Sequence, residues 1–153
     1  MDLLIDFERL LPLAVSWASR QEQEILAGGL PLSEAETHDA KAIGVLLPER
    51  IRLLRVSQIP MPSDEILGEA ARLAGFCSPS TAGLTLRHAI LIRDDFWRDR
   101  ALIVHEMTHT HQYERLGGFE PFLRRYLGEC LTAGYHNSPL EREAVQSAQR
   151  LVG

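Results

Sequence analysis

One five-residue stretch limits the folds open to this chain more than any other feature. His105-Glu106-Met107-Thr108-His109 follows the apolar run Ala101–Val104 and sits within a helical pattern. On an α-helix, side chains four residues apart lie one above the other on one face. Two imidazoles can therefore point at one spot. Glu106 is turned by about 100° around the axis, so it leans over that spot without being forced into it. The chain must contain a helix over 98–115 that offers two ring nitrogens to one ion.

Zinc suits these donors. Two neutral imidazoles and one carboxylate leave a fourth position open for water, as a catalytic site requires. The ion lowers the pKa of that water from about 15.7 toward 7. Glu106 then stands where a general base must stand to take the proton and pass it to a leaving group. The pattern alone also arises on ordinary amphipathic helices with two surface histidines. Here the preceding apolar run and a β-prone segment at 89–93 supply the expected context.

Such a site needs a third ligand. The downstream candidates are His111, Glu114, Glu120, Glu129, His136, Glu141 and Glu143. His111 and Glu114 share the helix but face elsewhere. Glu120 falls at a turn, and Glu129 reads as the solvent side of its helix. The last helix, from Ser138-Pro139 to about Val152, is more selective. With Leu140 at zero, Ala144, Val145, Ala148, Leu151 and Val152 fall on an apolar arc of roughly 20° to 140°. Glu141 falls at about 100°, inside that arc, and Glu143 at about 300°, on its edge. A buried carboxylate must be paired or bind a metal. Glu141 is the expected ligand, with Glu143 as the alternative. A competing reading makes Glu141 half of a capping box, reaching back to the backbone N–H of Ser138.

The rest of the chain gives the frame. Apolar spacing predicts helices over 3–27, stopped by Gly28-Gly29, and over 34–43, where Ser33 and Glu36 form a capping box. Pro48 breaks the pattern. Residues 50–58 alternate as a strand closed by Pro60 and Pro62. A third helix runs from Ser63 to Ala74 and stops at Gly75. Residues 84–86 and 89–93 are β-prone, as one bent strand or two. Helices follow over 98–115, 121–133 and 138–152. Helices, then strands, then helices indicate an α+β fold with a small sheet. No linker divides the chain, so 1–153 reads as one domain, with N-terminal helices in 1–47 and the core in 48–153.

Charge and cysteines narrow the function. A net charge of −5 gives no footprint for nucleic acid. Arg124-Arg125 is a short solvated cluster inside an amphipathic pattern. Cys77 and Cys130 are not a CxxC pair and read as free thiols of a cytoplasmic protein. The start Met1-Asp2, with Asp6 and Glu8, does not read as a signal peptide. No window approaches the ~20 apolar residues of a membrane span.

The motifs together resemble gluzincins, the zinc metallopeptidases with His-Glu-x-x-His on one helix and a glutamate ligand on a later one. Glu141-Arg142-Glu143-Ala144 is similar to their Glu-x-x-Ala element. Their usual Asp after that Ala is Val145 here, which puts the contact it would make to a ligating histidine in question. A closer resemblance is to small bacterial minigluzincin-like proteins that share the motifs spanning His105–Gly117 and Gly134–Ala144. It covers roughly residues 80–150. It implies a helix-rich zincin-like core with a small sheet beside the active helix, and it brings no substrate.

The reading is a zinc-dependent hydrolase acting on peptides or proteins, with His105, His109 and Glu141 on the metal and Glu106 as base. The alternative is a non-catalytic or latent zinc-binding module that holds the C-terminal helices together. Three further residues carry paired readings. Tyr135 is a donor to a developing oxyanion or a packed aromatic. His136 shares that ambiguity. Gln112 orients a ligand, meets substrate, or is a buried structural amide. Residues 84–93 could supply an edge for an extended peptide. Phe96, Trp97 and Phe122 read as core or groove packing.

Overall fold

The structure, a computed structural model, describes residues 3–73 and 81–153, with side chains over 7–72 and 81–153. The expected stop at Gly75, together with Ala74, Cys77, Met1 and Asp2, lies outside the described residues. Helix α1 (Leu3–Gly28) buries Leu10, Leu11, Ala14, Ala18 and Ile25, the apolar positions one and two turns apart. It leads into a two-residue strand β1 (Leu30–Pro31) that the sequence did not suggest. Helix α2 (Glu34–Ile43) has both halves of the Ser33/Glu36 capping box. A 3-10 turn at Pro48–Arg50 precedes β2 (Arg52–Val56). Helix α3 (Glu65–Leu73) starts one residue after Asp64, whose carboxylate accepts the Leu67 N–H.

Residues 83–93 form two strands, not one bent strand: β3 (Gly83–Leu86) and β4 (Ala89–Arg93). They pair antiparallel across Arg87-His88. The four strands run in the order β1-β2-β4-β3, with β2 parallel to β4 and β3 at an edge. Arg87 adopts the left-handed region at φ 61°, uncommon for a residue with a Cβ. Neighbours hold it there. Glu22 of α1 is buried and accepts two hydrogen bonds from the Arg87 guanidinium and one from the His88 N–H.

Helix α4 (Arg100–Leu116) is capped by Asp99 and ends at Gly117, whose φ of 107° suits glycine. Thr110 Oγ1 on α4 donates to Arg87 O, tying the hairpin to this helix. Helix α5 (Phe119–Ala133) begins two residues earlier than predicted. Pro121 falls in its first turn, where a missing N–H costs no hydrogen bond. After a 3-10 turn at Tyr135–Asn137, α6 (Pro139–Val152) closes the chain. The fold is α+β, helix-rich with a small four-stranded sheet. No helix among the described residues is long and apolar enough to cross a membrane.

Two apolar clusters flank the sheet. One joins α1, α3 and α5 to Leu84, Leu86 and Leu91. The other joins α2 and α4 to Leu53, Ile90 and Ile92. Within the first, Tyr113 stacks on Phe122 at 3.7 Å between ring centres and Phe122 on Tyr126 at 5.3 Å. Helix α4 therefore has sheet on one side and α5 and α6 on the other, which fixes its rotation and the direction of its histidines.

Candidate metal centre

Helix α4 carries His105 and His109 one turn apart on the side that meets α6. Their rings lie 5.2 Å apart, edge to face. Between them stands the Glu141 carboxylate from the first turn of α6. Its Oε1 is 2.6 Å from His105 Nε2, and its Oε2 is 3.1 Å from His109 Nε2. One donor atom from each of the three residues lies within 4.8 Å of the other two, and this is the only group among the described residues so placed that it could hold an ion. Two ligands of a tetrahedral zinc, each about 2.0–2.1 Å from the ion, lie about 3.3 Å apart. The His109 contact, at 3.1 Å, is near that separation; the His105 contact, at 2.6 Å, is a hydrogen-bond length that an ion would have to open, and the nitrogen and carboxylate donors are of the kind zinc accepts.

The cap and ligand readings of Glu141 are separated by atom. Its backbone N–H donates to Ser138 Oγ at 3.1 Å, so the residue does sit at the cap. Its side chain does not reach back to Ser138. It turns inward, where Tyr126 and Tyr135 donate to it at 2.8 and 3.1 Å. Burial would raise the pKa of this carboxyl, but the two histidines outweigh it and hold it well below the usual range. Burial would lower the pKa of His109, but Glu141, Glu106 and Gln112 outweigh it and raise it from 6.5 to about 9. Burial and the Glu141 charge push both tyrosines upward, so their hydroxyls stay protonated donors.

Glu143 does not join the cluster. It accepts from Gln112 and pairs with Arg115. Gln112 in turn meets His109 Nδ1 at 2.8 Å, so it touches a candidate ligand rather than the groove. His111 abuts Gly44, and Glu114 accepts from Leu46 and Leu47 of the loop after α2. Glu129 departs from expectation. It is half-buried and its Oε1 accepts the Leu140 N–H at 3.0 Å, capping α6 instead of facing solvent. Val145 and Val152 are exposed despite their place on the apolar arc. The buried arc is shifted toward Ser147, which leaves Val145 on the rim.

Glu106 sits on the sheet side of the ligands. Thr85 Oγ1 of β3 is within 2.9 Å of both Glu106 Oε1 and the Glu106 backbone carbonyl. Oε2 lies 4.0 Å from His105 Nε2 and takes no hydrogen bond among the described residues. Gly83 makes this position possible. A Cβ there would come within 3.0–3.2 Å of the Glu106 side chain. Thr85, Gly83 and Tyr126 were not singled out in the sequence. Only the β pattern of 84–86 pointed near the first two, and the hydroxyl of Tyr126 left no trace in its helical spacing.

A surface groove opens onto the cluster. Thr81, Ala82 and Gly83 line one side, with Glu106 and His105 at its floor. Leu102, Val145, Ala148 and Phe96 extend it, and Tyr135 and His136 stand at its rim. Comparison of the chain with protein-family models, curated proteins and solved structures returns no match.

Proposed function

We propose that this chain is a zinc-dependent hydrolase of gluzincin type, most naturally a peptidase, in which His105, His109 and Glu141 hold the ion. The observation that carries the reading is the Glu141 carboxylate set between two imidazoles of one helix, with a second carboxylate, Glu106, left outside that set. A site built only to hold a metal is closed by four protein ligands. This one has three, an extra carboxylate and a groove.

Bound there, zinc would supply Lewis-acid chemistry and acidify a water molecule. The chain's own residues do the rest. Glu106 accepts a proton at Oε2 and passes it to the leaving group. Thr85 holds Oε1 so that the other oxygen keeps its aim. Tyr135 is part-buried at the groove and gives its one O–H to Glu141 Oε1, so to stabilise an oxygen that gains charge it would have to turn from that carboxylate. Gly83 opens the edge strand β3, whose outer side would take an extended peptide by backbone pairing. Cys130, buried as a free thiol, fits a cytoplasmic setting.

A non-catalytic zinc module is the second reading. It is favoured by the way the ligands join α4 to α6 while Tyr126 of α5 meets Glu141. One variant separates the two. Glu106→Gln should keep about one zinc per chain and lose about 10²–10⁴ of peptide-hydrolysing activity. A variant with full activity removes Glu106 from the mechanism. A zinc-loaded wild type that cleaves no member of a peptide library supports the module instead.

A further inference from the structure

The buried amide of Gln112 is fully used, and its use has a consequence for the metal. Its Nε2 lies 2.9 Å from the Leu140 carbonyl and 2.8 Å from Glu143 Oε1. Both partners are acceptors, so the amide nitrogen must face them and the amide oxygen must face His109. An amide oxygen can only accept. His109 therefore keeps a proton on Nδ1, and the proton that a metal displaces is the one on Nε2, which faces Glu141. A flipped amide would set its oxygen against the two acceptor oxygens of Leu140 and Glu143. Gln112 has no exposed surface through which water could offset that.

The clamp comes from the helix that delivers the third ligand. Leu140 and Glu143 flank Glu141 on α6, and Arg115 reaches back from α4 to Glu143 at 3.1 Å. One docking of α6 on α4 thus places a ligand and locks the residue that orients another ligand. Val145, at the position where the resemblance would put a carboxylate, lines the groove.

We propose that Gln112 is a positioning residue for the metal: it holds His109 as the Nδ1–H tautomer and presents Nε2 to the ion, with Leu140, Glu143 and Arg115 preventing the amide from turning over. The proposal rests on the zinc reading above but not on hydrolysis. It is tested on the full chain loaded with zinc and labelled with ¹⁵N-histidine. The wild type should show His109 protonated at Nδ1, with a slowly exchanging ring proton and the metal-shifted signal on Nε2. Gln112→Met, similar in size but without an acceptor, should lower zinc affinity by about 10- to 100-fold and speed exchange of that ring proton. Glu143→Ala removes no atom that touches His109, and should shift both readouts in the same direction by less. If Gln112→Met does not fold, the wild-type spectrum and Glu143→Ala still decide. Metal on Nδ1 in the wild type overturns the proposal. So do variants that lose thermal stability but keep affinity and the protected proton. Zinc bound without hydrolysis refutes only the enzyme reading, whereas a chain that binds no zinc refutes both.

Discussion

Raising the pH from about 7 to about 9 should tighten zinc binding about a hundredfold, because one proton must leave His109 for the metal to enter. An ordinary imidazole, at 6.5, has already lost that proton. In the metal-free fold Glu141 and Glu106 raise the group to about 9. Each pH unit below that value then costs up to about tenfold in apparent affinity, and two units correspond to about 3 kcal/mol. Glu141 itself adds nothing in this window, since its carboxyl is held ionised far below it. The same shift stabilises the metal-free protein by about 3 kcal/mol. The sign follows from a pKa raised on folding: the stabilisation is complete below about 6.5 and is lost as pH rises through about 9. Competition titration with a zinc chelator of known affinity, at half-unit pH steps, measures the first effect. Thermal melts of chelator-treated protein measure the second. An affinity that is flat above about pH 7 would show that His109 is not paired as described and would refute the reasoning.

Other expectations follow from particular contacts. Thr85→Val removes the hydroxyl that holds Glu106 and leaves the side-chain volume, so kcat should fall by about 10- to 100-fold with zinc content and KM unchanged, given about 1.5–3 kcal/mol for a hydrogen bond to a charged group. Steady-state kinetics on a peptide reporter checks this. Val145→Glu places a charge in the groove beside Leu102 and Ala148; peptides with apolar side chains should lose kcat/KM while the zinc stoichiometry stays the same, as library profiling would read. Glu22→Ala leaves Arg87 and the His88 N–H without their carboxylate and should destabilise the fold by about 1–3 kcal/mol, because the part-exposed Arg87 can still be solvated while the buried N–H cannot, measured by denaturant unfolding.

The histidine pair was legible because helical geometry alone fixes the relation of residues four apart. Glu141 was legible because a carboxylate on an apolar arc demands a partner, and its side chain finds two imidazoles and two tyrosines. The two-residue strand β1 was hidden for the opposite reason. Leu30–Pro31 has no periodicity of its own and is a strand only because β2 lies beside it. Thr85 beneath Glu106 depends on the register of β3 against α4. That register is set by Glu22 and Thr110 gripping the hairpin turn, contacts between segments far apart in the chain. The side of Glu129 was misjudged because the start of α6 packs on α5, which no single-helix projection contains.

Zinc stoichiometry across the ligand set tests the central claim most directly. After exhaustive dialysis, elemental analysis should find about one zinc per chain in the wild type and in Glu106→Gln, and almost none in His105→Ala, His109→Ala or Glu141→Ala. Full zinc retention by Glu141→Ala, or loss of zinc in Glu106→Gln alone, would contradict the assignment of ligands and base.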